Sequence, residues 1–254
     1  MLRKLLKAVV PSRLLVAARL AARPEMSHVP LAAIPAVAGI VDRLVNTYGY
    51  GRAIIDNAPV DAKGSPLPWY TYPMIEYLES LDLSPLRVFE YGCGNSTLWW
   101  MNRVREVVSV EDDPGWHSRI TKQLAPNAHL LLKQDPTEYS KAIEEFGMFD
   151  LIVVDGSARY ECCQTAVKHL NPGGAIILDN ADCLPKSTEF LRGTGLFEIE
   201  MNGFIMMLSR ASRTSLFISQ PCLLRPRPHR PAVAGTVEDW DEDQSRAQQK
   251  PSIS

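Results

Sequence analysis

Through the middle of the chain, short apolar runs alternate with longer amphipathic stretches. Residues 87–90, 106–110, 129–132, 150–154 and 175–178 each read as a buried strand, rich in Val, Ile and Leu. Residues 96–103, 114–124, 137–146 and 160–170 lie between them and suit helices, and residues 74–81 suit another ahead of the first strand. Such alternation implies right-handed crossovers and a parallel sheet covered by helices on both faces. After the fifth strand the rhythm changes. Residues 196–201 and 214–218 read as two last strands, with Asn202-Gly203 opening their connection. The expected fold class is α/β, with no internal repeat.

Both ends depart from this pattern. Arg3, Lys4, Lys7, Arg13, Arg19 and Arg23 precede the first acid, Glu25, with Leu, Val and Ala between them. Residues 1–40 therefore read as a basic amphipathic segment: a helix on a membrane surface, an organelle transit peptide, or a solvated flank. Arg19 interrupts the apolar stretch that a secretory signal needs. Residues 41–219 form the expected domain. From Gln220 the chain carries Pro221, Pro226, Pro228 and Pro231, then an acidic run from Glu238 to Asp243, so residues 220–254 read as a disordered tail.

Composition narrows the partners. A net charge of −2 over 254 residues gives no general affinity for nucleic acid. Cys93, Cys162, Cys163, Cys183 and Cys222 show neither a disulfide framework nor zinc-site spacing. Buried thiols in a reducing, cytoplasmic compartment are the expectation, with membrane association or organelle targeting through the N-terminus as the alternative.

The chemistry concentrates at Val88-Phe89-Glu90-Tyr91-Gly92-Cys93-Gly94-Asn95-Ser96-Thr97. An apolar strand ends in an acid, a glycine turn follows, and a helix begins near Ser96. The glycines let the backbone turn tightly and approach a ligand, at the strand end where open α/β sheets bind ligands. A dinucleotide loop would place a third glycine where Thr97 stands. The Glu90 carboxylate suits a ligand bearing a cationic amine better than a diphosphate. Glu111 ends the second strand about 20 residues after Glu90, the spacing at which an acid reaches an adenosine ribose; its alternative is a solvated loop acid beside Asp112 and Asp113.

This segment resembles the E/D-x-G-x-G motif of class I S-adenosylmethionine-dependent methyltransferases, and the resemblance extends over residues 68–218. It implies a Rossmann-like fold with seven mostly parallel strands, the last antiparallel, and S-adenosyl-L-methionine as cofactor. The implied cofactor contacts are Glu90, Tyr91, Gly92, Cys93, Gly94, Asn95, Ser96, Glu111, Asp112 and Asp155, with Asp135 beside the adenine or, equally, a turn residue before Pro136. Asp155, Asp179 and Asn180 stand at strand ends that face the transferred methyl group, Asp155 being the candidate base. The same three resemble the metal-binding trio of catechol-type O-methyltransferases. The alternative, and the expectation adopted, is that no metal is held: Asp155 orients substrate while Asp179 and Asn180 cap a loop. Trp69, Tyr70 and Tyr72 wall the cofactor cleft or stack on a planar or sugar substrate, with plain packing as the equal alternative for Trp69. Tyr70, Thr71 and Tyr72 offer hydroxyls near where the family holds the cofactor carboxylate. Arg159 and Tyr160 are further candidate substrate contacts.

The resulting expectation is methyl transfer to a small-molecule or glycan acceptor, with oxygen favoured over nitrogen. A catalytically silent partner-binding module and a nicotinamide-dependent oxidoreductase are the rivals.

Overall fold

The computed structural model describes residues 30–228, with Ala17, Ala18 and Ala22 besides. The basic positions up to Arg23 and the acidic run from Glu238 lie outside these residues. The chain divides into two compact units, residues 1–43 with 232–254, and residues 44–231. In the first, the described residues include α1 (Ile34–Asp42). No helix among the described residues is long and apolar enough to cross a membrane.

The second unit is built on one sheet of seven strands in the order β3-β2-β1-β4-β5-β7-β6. These are β1 (Arg87–Tyr91), β2 (Glu106–Glu111), β3 (Ala128–Leu132), β4 (Phe149–Val154), β5 (Leu170–Leu178), β6 (Phe197–Phe204) and β7 (Ala211–Ile218). β1 to β5 pair in parallel, and β7 inserts antiparallel between β5 and β6. This is the Rossmann-like methyltransferase arrangement that the resemblance implies.

Alternation along the strands separates two cores. Val88, Val107, Leu151, Val153 and Ile177 pack with Met74, Leu78, Trp99 and Trp100 on one face. Phe89, Tyr91, Val108, Ile152 and Ile176 pack with Tyr139, Cys162 and Cys163 on the other. The helices that cover the sheet are α2 (Tyr50–Asp56), α3 (Tyr72–Glu79), α4 (Asn95–Met101), α5 (Pro114–Thr121), α6 (Pro136–Lys141), α7 (Arg159–Ala166) and α8 (Pro185–Gly193). Proline early in α3, α5, α6 and α8 suits a first turn, where the missing N–H is not needed.

Three sequence expectations need correction. Asn202-Gly203 does not turn, since both residues pair inside β6 with Arg213 and Ser212. Gly203 is there because a Cβ would lie 2.6 Å from Pro73 Cδ, so the glycine admits α3 against the sheet. The chain past Gln220 stays on the domain through its first eight described residues. Leu223 N–H donates to Gly173 O, the Asp82 and Arg227 amides exchange bonds with Arg225 O and Ser80 O, and Leu224 is buried. These are backbone bonds, which proline-rich sequence can make without any side-chain period. Finally, Cys162 and Cys163 are the buried thiols, whereas Cys183 is exposed.

Residues 171–174 form a bulge within β5. The register passes from Phe149↔Leu170 to Leu151↔Ala175, and Gly173 takes φ +84° facing Pro221 O.

Candidate active site

The ends of β1, β2, β4 and β5 meet at one edge of the sheet, and their loops surround two adjoining cavities. One, of about 290 Å³, is lined by Glu90, Gly92, Cys93, Glu111, Asp112, Asp155, Gly156 and their neighbours. The other, about 550 Å³, is lined by Gly94, Asn95, Trp69, Trp116, Arg119, Arg159, Asp179, Asn180 and Arg210 among others. Cys93, Ser96, Trp116 and Asp155 line both. Asp155 thus stands at the seam.

The floor of the smaller cavity is Glu90, 1% exposed. Its Oε2 accepts from Thr97 Oγ1 at 2.5 Å and Ser109 Oγ at 2.9 Å. Its Oε1 is buried without a partner. Burial raises the Glu90 pKa to about 7 although neighbouring hydroxyls pull it down. Thr97 also accepts from the Gly94 N–H at 3.1 Å. The residue that breaks the dinucleotide pattern therefore ties the loop to the acid.

Glu111 is no solvated loop acid. Its Oε2 accepts from Cys93 N–H at 3.0 Å, and its Oε1 from the Asp112 and Asp113 amides at 3.1 and 3.0 Å. One carboxylate thus fixes the glycine loop and the turn after β2 together. Gly92, at φ +96°, packs its backbone on Gly156, and a Cβ on Gly156 would fall 2.0 Å from Tyr139 Oη. Asp112 accepts from Ser157 Oγ at 2.6 Å across the cavity.

Arg159 proves to be a bracket. Its guanidinium donates to Gly156 O (2.9 Å), Asp179 O (2.6 Å), Asn180 Oδ1 (3.1 Å), Asp155 O (3.2 Å) and Asp155 Oδ1 (3.0 Å). Those five contacts match the five N–H donors of an arginine. They place a fixed cation among the three residues that resemble a metal trio. No cluster of metal-ligating side chains is found among the described residues. Burial, followed by the charge of Asp179, pushes the Asp155 carboxyl well above its ordinary range, with Arg159 opposing. Burial likewise raises Asp179 to about 6, while its Oδ1 accepts from Thr214 Oγ1 at 2.6 Å. Thr214 Oγ1 in turn accepts from the Thr71 N–H at 3.0 Å, joining the segment before α3 to the site.

The remaining candidates divide. Asn95 joins the site and donates to Pro59 O at 2.7 Å, drawing the loop before α3 onto the glycine turn. Trp69 walls the larger cavity and donates to Met206 O. Five candidates line neither cavity. Alternation turns the Tyr91 ring to the opposite face, where its hydroxyl donates to Ser140 O at 2.9 Å. Asp135 caps α6 by accepting from the Thr137 and Glu138 amides, so the turn reading describes it. Tyr72 stacks edge-on with Tyr48, and Tyr160 with Phe190 beneath Lys186. Tyr70 is fully buried, and burial, then Glu90 and Asp155, raise its phenol pKa. Sequence reasoning missed Trp116, Arg119, Met207 and Arg210, which line the larger cavity from α5 and the β6–β7 turn. Trp116 Nε1 donates to Cys93 O at 2.6 Å, covering the glycine loop.

Residues 89–181, which contain the glycine loop, Glu111, Asp155, Arg159 and Asp179, match a family described as a methyltransferase domain. That match spans a little over a third of the chain. Solved structures similar to it include the N-methyltransferase NodS of Bradyrhizobium japonicum WM9 in complex with S-adenosyl-L-homocysteine. That likeness has 19% identity, covers 69% of this chain and 99% of the other, and has a TM-score of 0.46. The O-methyltransferase TomG of Streptomyces achromogenes is 15% identical, with 70% and 89% covered and a TM-score of 0.47. Precorrin 8w decarboxylase of Methanobacterium thermoautotrophicum is 22% identical, with 57% and 87% covered and a TM-score of 0.42. No curated protein matches the chain.

Proposed function

We propose that the domain is a methyltransferase that uses S-adenosyl-L-methionine and methylates a hydroxyl of a small-molecule acceptor. The observation that carries this reading is the lining of the smaller cavity. It presents the carboxylates of Glu90, Glu111, Asp112 and Asp155 and no basic side chain. A dinucleotide diphosphate would be repelled there, whereas a ligand bearing an ammonium and a sulfonium is attracted. The unpartnered Glu90 Oε1 offers a buried acceptor for the amine, and Gly92, whose Cβ would press on Gly156 Cα at 3.1 Å, lets the turn close against the end of β4. Glu111, held by three backbone amides, presents its remaining lone pairs for ribose hydroxyls. When bound, the cofactor supplies an activated methyl group on sulfur.

The protein's part is alignment and proton removal. Arg159 locks Asp155 and Asn180 in place, and Asp155 at the seam faces both cavities. A carboxyl whose pKa is raised by burial is a stronger base once ionised than an exposed one, so Asp155 is suited to take the acceptor hydroxyl's proton as oxygen attacks carbon. The products would be S-adenosylhomocysteine and a methyl ether, with the proton on Asp155.

The test is incubation with S-adenosylmethionine labelled in its methyl group and a small-molecule extract, followed by mass spectrometry. A labelled methyl ether, formed much more slowly by Asp155→Asn, is the expected product. Label on nitrogen would replace the oxygen acceptor, and no label in any product would remove the enzymatic reading.

A further inference from the structure

The larger cavity differs in character from the smaller one. Its floor holds Asp155 and Asp179, while its exposed rim holds Arg119 on α5 and Arg210 at the end of the β6–β7 turn. Elsewhere on the domain Arg52, Arg87, Arg103, Arg192 and Arg213 each rest on a carboxylate. Arg119 and Arg210 have no acidic partner among the described residues; Arg119 instead lies over the Trp116 ring, 5.0 Å from its centroid. Trp69 stands in the same cavity, 43% exposed, its indole fixed by the bond to Met206 O. Two indole walls, a floor whose carboxylates are bracketed by Arg159, and two guanidinium groups at the rim without a carboxylate partner describe a ligand with a ring, a hydroxyl and an anionic group.

We infer that the acceptor is a small hydroxylated ring compound bearing a carboxylate or phosphate. The ring lies along Trp69 and Trp116, the oxyanion is held by Arg119 and Arg210, and the hydroxyl points to Asp155. This identification rests on the methyl-transfer reading above. The donors also set the ligand's direction: Arg159 at the floor has all five N–H groups engaged by Asp155, Gly156, Asp179 and Asn180 and none left for an oxyanion, so the oxyanion goes to the rim. Guanidinium groups favour carboxylate and phosphate, whose oxygens match their paired donors.

The test is calorimetric titration of phenyl phosphate, benzoate and phenol into the full chain, with and without saturating S-adenosylhomocysteine. Phenyl phosphate or benzoate is expected to bind about 10- to 150-fold more tightly than phenol, the span of one or more charge-assisted hydrogen bonds. Arg119→Met and Arg210→Met should each remove most of that preference and leave S-adenosylhomocysteine affinity within about twofold. Comparing the two anions distinguishes a carboxylate-bearing acceptor from a phosphate-bearing one. Equal binding of phenol and both anions, or anion binding that survives both substitutions, overturns the inference. So does an Arg119→Met variant that loses S-adenosylhomocysteine and keeps the anion, since Arg119 would then serve the cofactor. The S-adenosylhomocysteine titration reads the proposed function separately, so its failure is not confused with absence of the anion site.

Discussion

Glu90 should make the protein lose stability as the pH rises, unless cofactor is bound. Its carboxyl is 1% exposed, has one unpartnered oxygen, and titrates near pH 7 against 4.5 for an ordinary glutamate. Because the folded-state pKa is the higher, the native protein holds a proton that the unfolded chain has released between those two values. Stability from this group is therefore complete below about pH 4.5 and lost as the pH rises through 7. With about 1.4 kcal/mol for each pH unit of difference, the loss is about 3 kcal/mol. In Glu90→Gln an amide of the same shape stands where the protonated carboxyl would, so this slope disappears. The assay is urea unfolding of both proteins at pH 5, 6, 7 and 8, with the difference in free energy taken at each pH to cancel other titrating groups. The variant should gain on the wild type with rising pH, by an amount on the order of 3 kcal/mol in all, while losing cofactor affinity. S-adenosylhomocysteine should flatten the wild-type slope, because its ammonium stabilises ionised Glu90. A difference that stays constant from pH 5 to 8 would refute the reasoning.

Other consequences follow from the brackets around the site. Glu111→Ala should weaken S-adenosylhomocysteine binding by about 10- to 150-fold in calorimetry, and should raise amide exchange at Cys93, whose N–H loses its acceptor. Arg159→Met removes one partner of a largely buried pair, side chains 19% and 21% exposed. It should cost about 3 kcal/mol, or roughly 6–12 °C in the thermal midpoint, and shift the acid limb of the pH–rate profile upward as Asp155 loses its cation. Turnover should persist after exhaustive chelation, because the guanidinium of Arg159 already neutralises the strand-end acids; magnesium-restored activity would reassign them as ligands. Truncation after Gln220 removes buried Leu224 and the backbone bonds to Gly173, Ser80 and Asp82. It should lower the midpoint by roughly 5 °C or more.

What could be read from the sequence was whatever leaves a local pattern. Apolar runs marked the strands, and Glu90 to Gly94 with Glu111 marked the smaller cavity, because strand, acid and glycine turn are contiguous. Tyr91 could have been excluded by period-two alternation, since it must face away from Glu90. The bracket role of Arg159 had a signal in its spacing of four from Asp155, which a helix N-terminus brings together. Trp116, Arg119 and Arg210 had none. They reach the larger cavity because α5 and the β6–β7 turn are brought over it by the sheet, a relation between distant segments with no motif of its own. Gly203 misled for a related reason: its small size serves Pro73, 130 residues earlier, instead of a turn. The strap at residues 221–228 binds through backbone groups, to which composition is blind.

The acid-lined cavity should receive a cationic cofactor rather than a dinucleotide. Calorimetric titration of S-adenosylhomocysteine and of NAD into the same preparation at pH 7, repeated in two buffers of different ionisation enthalpy, tests it most directly. The account predicts saturable binding of S-adenosylhomocysteine, release of on the order of half a proton as Glu90 ionises, and no heat from NAD. Binding of NAD without binding of S-adenosylhomocysteine would contradict it.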